Sequence, residues 1–442
     1  MQNIKEYKKI WAISAPIMLS LLAQNIVNIT DTAFLGRVGE VELGASALAG
    51  LYYFCFYMIG FGFGSGLQIV VSRRKGEKND SAIGTVIDNG IYFLFFLAVF
   101  LIILSLLFAP SFFRYSISSE AILKQSVVFL DYRIWGLFFA FCNIVFRSFF
   151  VGIANTRYLT YNAVIMAGLN IILDYILIFG KFGFPEMGLK GAAIASVISE
   201  AAAAIFFVII VLRNKNLRIY NLFRFLKPQI QLINSVLGVS FYIMLQFFIS
   251  LGGWFVFFLI IEKTGERSLA ISNVIRSIYM LLMIPVWGYC SAVSSLVSSR
   301  IGEGKSDEVI LVIKRVTIMS FITTSLLIIL VGIFPNFALS VYTSDISFIK
   351  DGIASLYVVL GATVIFSLTM ISFNAISGTA NTNISLYIEV ITIFIYLLAA
   401  WLFDRYYAKP EIIWCSEYIY YLFTGAFSIV YLWKGNWKNK RI

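Results

Sequence analysis

Long apolar runs separated by short polar connectors fill this chain. Twelve can be traced, at residues 10–35, 45–71, 83–109, 126–150, 160–180, 190–212, 235–261, 269–298, 316–340, 353–377, 384–403 and 412–433. Each is long enough to cross a bilayer as a helix, which takes roughly 20 residues. Strict two-residue alternation over segments of about ten residues, the mark of a membrane barrel, is absent. The pattern predicts an all-α polytopic membrane protein with 12 transmembrane helices. Pro16 and Pro285 fall inside runs and predict bends, because proline removes a backbone donor and crowds the preceding turn. The longest connector, 213–234, is basic and separates an N-lobe (1–212, six runs) from a C-lobe (235–442, six runs).

The two halves repeat one another. Val71, Ser72, Arg74, Gly76 and Glu77 recur as Val297, Ser298, Arg300, Gly302 and Glu303, and Gly152, Ala154, Asn155, Thr156 and Tyr161 recur as Gly378, Ala380, Asn381, Thr382 and Tyr387. Both blocks are displaced by 226 positions (71 to 297, 152 to 378). One register for two blocks argues for an internal duplication. Six is an even number of crossings, so the halves face the same way, as two pseudo-symmetric six-helix bundles related about the membrane normal.

Composition narrows the chemistry. Hydrophobic residues make up 60% and charged residues 13% of 442 positions, with a formal charge of +11. That surplus follows topology rather than a nucleic-acid surface. With the N-terminus inside, 22 of the 34 basic residues, Arg147 among them, fall in cytoplasmic segments and 10 on the opposite side, leaving Arg133 and Arg276 within spans. Both termini are therefore expected in the cytoplasm. The first run is too long for a cleavable signal peptide. Cys55, Cys142, Cys290 and Cys415 lie in apolar runs without metal-type spacing and read as core residues. There is no histidine, which removes His triads, His metal sites and His relays and leaves carboxylates to carry protons near neutral pH.

Asn170 and Asp174 are four residues apart in an apolar run and share one helix face. A carboxylate at the centre of a membrane helix costs about 2.5–3.5 kcal/mol on the insertion scale, so it calls for a function. Counting from the loop ends at 1.5 Å per residue, Asp31, Asp174 and Ser196 all lie roughly 7–9 Å inside the outer boundary. Such oxygens at one level suit a small cation or a trapped proton. The competing reading is that Asp31 ends a helix and Asp174 pairs with a basic neighbour. The 226-residue displacement puts Phe257, Tyr396 and Ala400 opposite Asp31, Asn170 and Asp174, so no carboxylate occupies those places in the second half and the ion belongs to the N-lobe. Gln24, Asn28 and Asn143, on spans of the same lobe, are candidates for a substrate cavity. Arg276 is a further candidate, with snorkelling as its alternative. Arg133 follows Asp131 and reads as an interfacial pair; Glu200 and Glu389 find no partner by sequence.

With these residues in view the chain resembles the multidrug and toxic compound extrusion (MATE) family over essentially its whole length, most closely the DinF-like branch. The resemblance is carried by Ser14-Ala15-Pro16, Asn28 to Gly36, Ser72 to Glu77, Gly152 to Arg157, Asn170 to Asp174, Gly191-Ala192-Ala193 and Ser298 to Gly304. It implies two six-helix lobes in a V shape, alternating access, and efflux of amphipathic, often cationic drugs or toxins against Na⁺ or H⁺. It further implies a cation site of Asp31, Asn170, Asp174, Ser196 and the backbone carbonyl of Ala192, with Asp31, Asn170, Asp174 and Ser196 as metal ligands if the ion is Na⁺. Ser196 stands where threonine is common. Pro16 matches a helix-bending proline, and the acidic residues that other branches carry in the seventh and tenth helices are missing. The expectations are thus an antiporter with no cofactor beyond its ion, acting as a monomer in contact with membrane lipid and with no nucleic-acid partner. A flippase for a lipid-linked or amphipathic lipid is the alternative, favoured by a more basic cavity. An intramembrane enzyme lacks the nucleophile and base it would need.

Overall fold

The computed structural model describes residues 2–438, 440 and 442, and among these every regular element is helical. The α-helices are α1 (Gln2–Val38), α2 (Glu40–Gly76), α3 (Asp80–Ser116), α4 (Glu120–Arg133), α5 (Gly136–Gly152), α6 (Arg157–Phe179), α7 (Gly188–Arg213), α8 (Ile230–Glu262), α9 (Glu266–Gly302), α10 (Val309–Ile333), α11 (Pro335–Ser340), α12 (Ile346–Gly378), α13 (Thr382–Tyr407), α14 (Pro410–Trp414) and α15 (Ser416–Lys434). Ten helical stretches are individually long and apolar enough to span a membrane, and α4 with α5, bent by 52°, form an eleventh. The twelfth expected run is α14 and α15, which carries Glu417 inside it.

The duplication extends to helix boundaries. Helix α2 maps onto α9 (40 to 266, 76 to 302), and the ends of the α4–α5 pair map onto α12 (120 to 346, 152 to 378). The span broken between Arg133 and Gly136 in the first half is therefore continuous in the second. Even the turns repeat: Ala154 and Ala380 take positive φ of 57° and 71°, and Lys78 and Gly304 take 58° and 73°. An alanine in the left-handed region is strained, so its recurrence marks a required turn.

By packing, the chain forms two compact units, one of Leu19–Ser240 and the other of the segment ending at Met18 together with Phe241–Ile442. The division by the 213–234 connector and the division by packing differ, because both unit boundaries fall inside helices, α1 and α8. Close approaches explain this. A Cβ on Gly66 would lie 2.1 Å from Ser240 Oγ, which donates to the Phe63 carbonyl at 3.1 Å, so the start of α8 is held on α2. A Cβ on Gly288 would lie 2.5 Å from Met18 Cγ, so the start of α1 is held on α9. Helix α1 runs unbroken through Pro16, two residues before its unit boundary.

Within the Leu19–Ser240 unit, α5 packs on α2, α3 and α7, and α6 lies along α7. The connector is fixed by buried polar groups of α3. Asp88 accepts from the amides of Phe223 (2.9 Å) and Phe225 (3.0 Å), and Asn89 from that of Gln229 (2.7 Å). These satisfy backbone donors that irregular chain would otherwise bury unpaired. In the other unit α12 packs against α9, α10 and α15, and α13 against α15. Broad rows of exposed apolar side chains, such as Phe95, Phe96, Phe100 and Phe108 on α3, are the surface a bilayer covers.

Candidate functional site

The end of α1 brings Asp31 to α6, where Asn170 and Asp174 stack one turn apart. Helix α6 stops at Gly180, in the left-handed conformation (φ 63°), and the chain returns through Met187, whose amide donates to the Leu177 carbonyl at 2.9 Å. That return starts α7 beside α6. Contact is close enough that a Cβ on Gly191 would lie 2.7 Å from the Leu177 carbonyl oxygen, and the next turn of α7 brings Ala192 and Ser196 to the cavity that Asp31 and Asn170 also line.

The carboxamide end of Asn170 sits between the acids. With its nitrogen inward it donates to Asp31 Oδ1 at 3.1 Å and Asp174 Oδ2 at 3.2 Å. With its oxygen inward, three oxygens converge, and a cation is needed to hold them together. The two carboxyls also lie within hydrogen-bonding reach of each other. Asp174 is fully buried and its Oδ1 has no hydrogen-bond partner. Two carboxylates this close cannot both stay ionised in a dry span unless a proton or cation joins them. The donor set fits either. Among the described residues, no three His, Cys, Asp or Glu side chains gather into a cluster of the kind that holds a transition metal.

Asp31, Asn170, Ala192 and Ser196 line a cavity of about 530 Å³ in this unit, and Asp174 is enclosed behind its wall. Gln24, Asn28 and Asn143 line it as well, so seven of the nine residues proposed for ion or substrate meet here and Asp174 adjoins them. Arg276 does not. It lies on α9 in the other unit, with its guanidinium 5.1 Å from the centre of the Phe258 ring. Sequence also missed several members of the wall. Arg133 pairs not with Asp131 but with Glu200 on α7, through bonds of 2.5 and 2.9 Å, and stacks 3.9 Å from the Tyr53 ring centre. Asn143 donates to the Glu200 carbonyl at 2.9 Å. Arg147, expected in a cytoplasmic segment, faces the cavity from α5 over the Phe61 ring. The only sequence signal for the Arg133–Glu200 pair was that both charges lie in spans, where an isolated charge is costly.

In the second unit the counterpart positions are filled by rings. Phe257 and Tyr396 stack with centres 5.3 Å apart, and Ala400 is buried. Those positions carry no carboxylate, but one reaches them from another helix: Glu417, arriving from α15, accepts from the Tyr396 hydroxyl at 2.9 Å. Alignment by the repeat could not show it, because Glu417 maps onto Gly191 of the first half.

A family model described as MatE matches residues 16–176 and 243–402. A probable multidrug resistance protein NorM of Thermotoga maritima is 24% identical over 443 residues, covering 98% of this chain and 94% of that protein. A protein of the same description from Pasteurella multocida is 27% identical over 394 residues, covering 87% and 83%. A solved outward-facing multidrug resistance MATE family transporter of the MOP superfamily aligns with a TM-score of 0.90 at 19% identity, over 97% of this chain and 95% of that one. The shared fold is that of twelve transmembrane helices in two bundles.

Proposed function

The chain belongs to the MatE family, and we propose that it is a secondary active multidrug efflux antiporter that exports amphipathic or cationic compounds in exchange for Na⁺ or H⁺. The observation that carries this reading is the Asp31–Asn170–Asp174 cluster on the wall of a cavity of about 530 Å³, within the usual range of about 300–1,000 Å³ for drug-sized sites. With both aspartates ionised the cavity attracts a cation of either kind. When the coupling ion is held there, by one proton or by the oxygens of Asp31, Asn170, Asp174 and Ser196 with the Ala192 carbonyl, the charge is offset and a cationic substrate is released. Gln24, Asn28 and Asn143 offer hydrogen bonds to its polar groups, while Tyr53, Phe54 and Tyr57 on the same wall offer aromatic faces. Pro16 is assigned a helix-bending role in this cycle. The protein is read as a monomer in a bacterial cytoplasmic membrane, with both termini inside.

Gradient-driven drug efflux in inverted vesicles tests the proposal. Asp174→Asn should abolish efflux under an imposed Na⁺ or pH gradient while the protein still inserts and elutes normally. Undiminished coupled efflux in that variant would sink it. A lipid-linked or amphipathic lipid substrate is the second reading, favoured by Arg147 on the cavity wall, where a guanidinium would meet a phosphate. Arg133 adds less to it, because Glu200 neutralises that charge.

A further inference from the structure

Glu389 on α13 and Glu417 on α15 are each 1% exposed, in the unit that lacks the aspartate pair. Among the described residues neither has an ion-pair partner. Their surroundings differ in one respect. Glu417 is satisfied as an acceptor, by the Tyr396 hydroxyl at 2.9 Å on one oxygen and the Tyr279 hydroxyl at 3.3 Å on the other, with Tyr421 completing the chain through Tyr279 at 2.5 Å. Around Glu389 acceptors outnumber donors. Its Oε1 takes Ser250 Oγ at 2.5 Å and the Tyr420 hydroxyl at 2.9 Å, while the single Ser250 hydrogen is also sought by the Gln246 carbonyl at 2.9 Å. Glu389 Oε2 is buried without any partner, and so is Oε1 of Gln246, one turn before Ser250 on the same face of α8. Both hydroxyl donors thus reach the same Glu389 oxygen and leave the other bare, and a buried oxygen left without a donor costs about 1–3 kcal/mol. What is missing is something positive.

We propose that Glu389, with Ser250, Gln246 and Tyr420 around it, is a second monovalent-cation site, taking a proton or Na⁺ independently of Asp31 and Asp174. The Glu417–tyrosine network is its positioning frame, joined to it through the Tyr420 ring, 5.5 Å from Tyr396 and 5.0 Å from Tyr421. Among the described residues no protein cation competes for the place. Helix α9 offers Tyr279 and, one turn earlier, Arg276, which stacks on Phe258 instead. Helix α12 brings Lys350, Asp351 and Tyr357, all exposed, and α14 brings Glu411, which is not buried. The remaining titratable neighbours are Glu417 and the four tyrosines.

The test is made on full-length protein in detergent in an Asp31→Asn/Asp174→Asn background, so it does not depend on transport and stands apart from any failure of the antiport reading. Equilibrium dialysis with radioactive sodium and infrared titration of the protonated carboxyl band are both run. Retention of one ion per chain, as bound Na⁺ or as a titrating carboxyl, with loss on Glu389→Gln, is the expected result; which signal is retained names the ion. A background that binds no Na⁺ and shows no titrating carboxyl overturns the proposal, as does a signal that survives Glu389→Gln. Should Glu389→Gln fail to fold, Tyr420→Phe keeps the carboxylate and removes one donor to it, so it should move the Na⁺ affinity or the titration midpoint by about two- to tenfold. A folded Tyr420→Phe protein with neither moved overturns the site.

Discussion

Asp174 is enclosed while Asp31 faces the cavity, so the two acids are unequal and their shared neighbours decide which ion they take. A Na⁺ ion wants about five or six oxygens and needs Asn170 and Ser196, whereas a proton needs one carboxyl. Under the sodium reading, Asn170→Ala and Ser196→Ala each weaken the Na⁺ dependence of efflux at least severalfold. Under the proton reading both leave the ion dependence unchanged, and only the aspartate substitutions remove it. Measuring efflux rate against Na⁺ concentration at fixed pH separates the two. The residues of this site were legible because a carboxylate stands out in an apolar run and helical geometry fixes the face and depth of its neighbours. Arg133 and Glu200 were not, since nothing local says that a charge 67 positions away supplies the partner, and Asp131 offered a nearer one.

At the scale of elements, the break between α4 and α5 gives Arg133 its direction. A Cβ on Gly136 would fall 2.2 Å from Arg133 Nη1 and 2.7 Å from Glu200 Oε2, so only glycine leaves room for the ion pair beside the bend. Gly136→Ala should push the guanidinium off Glu200 and lower thermal stability. Glu200→Gln should do so more strongly, by about 2–3 kcal/mol. That is less than the roughly 3–5 kcal/mol for breaking a dry pair, because these side chains keep 13% and 15% exposure. Replacing both, as Arg133→Met/Glu200→Leu, should recover most of the loss, since no unpaired charge is left. Thermal unfolding of the four purified proteins checks the series. Helix number and boundaries were largely written in the apolar runs, and the repeat register even matches the ends of α2 with α9. The bend was not, because the sequence from Tyr132 to Leu137 carries no proline and one glycine, and its counterpart in α12, with Gly361, stays straight enough to be one helix.

For the whole molecule, shared occupancy has a thermodynamic consequence. If substrate and coupling ion both answer to Asp31 and Asp174, saturating ion must weaken substrate binding by the same factor that saturating substrate weakens ion binding. Titrations of a fluorescent cationic drug at several Na⁺ concentrations and pH values, paired with ion binding at several drug concentrations, should give equal factors; drug affinity indifferent to both ions would place the drug elsewhere. Sequence could pair the two halves but could not place the packing boundaries within α1 and α8, which depend on contacts such as Gly66 with Ser240 and Gly288 with Met18.

The Arg133–Glu200 bond also has a place in the order of synthesis. The ribosome delivers the arginine first, and its carboxylate follows 67 residues later, which at about 5–20 residues per second is an interval of about 3 to 13 s. During that interval the half-span ending in Arg133 carries an unneutralised charge, so it should rest at the bilayer surface or inside the translocon and settle only when α7 emerges. Arrested nascent chains free of native cysteines and keeping Arg133 should show the change: Ile134→Cys, buried in the finished structure, is labelled by a water-soluble thiol reagent less readily once chain length carries α7 out of the ribosome, whereas a chain ending before Glu200 would show full labelling. The bend that shapes the finished cavity is thus also a waiting point in the making of the protein.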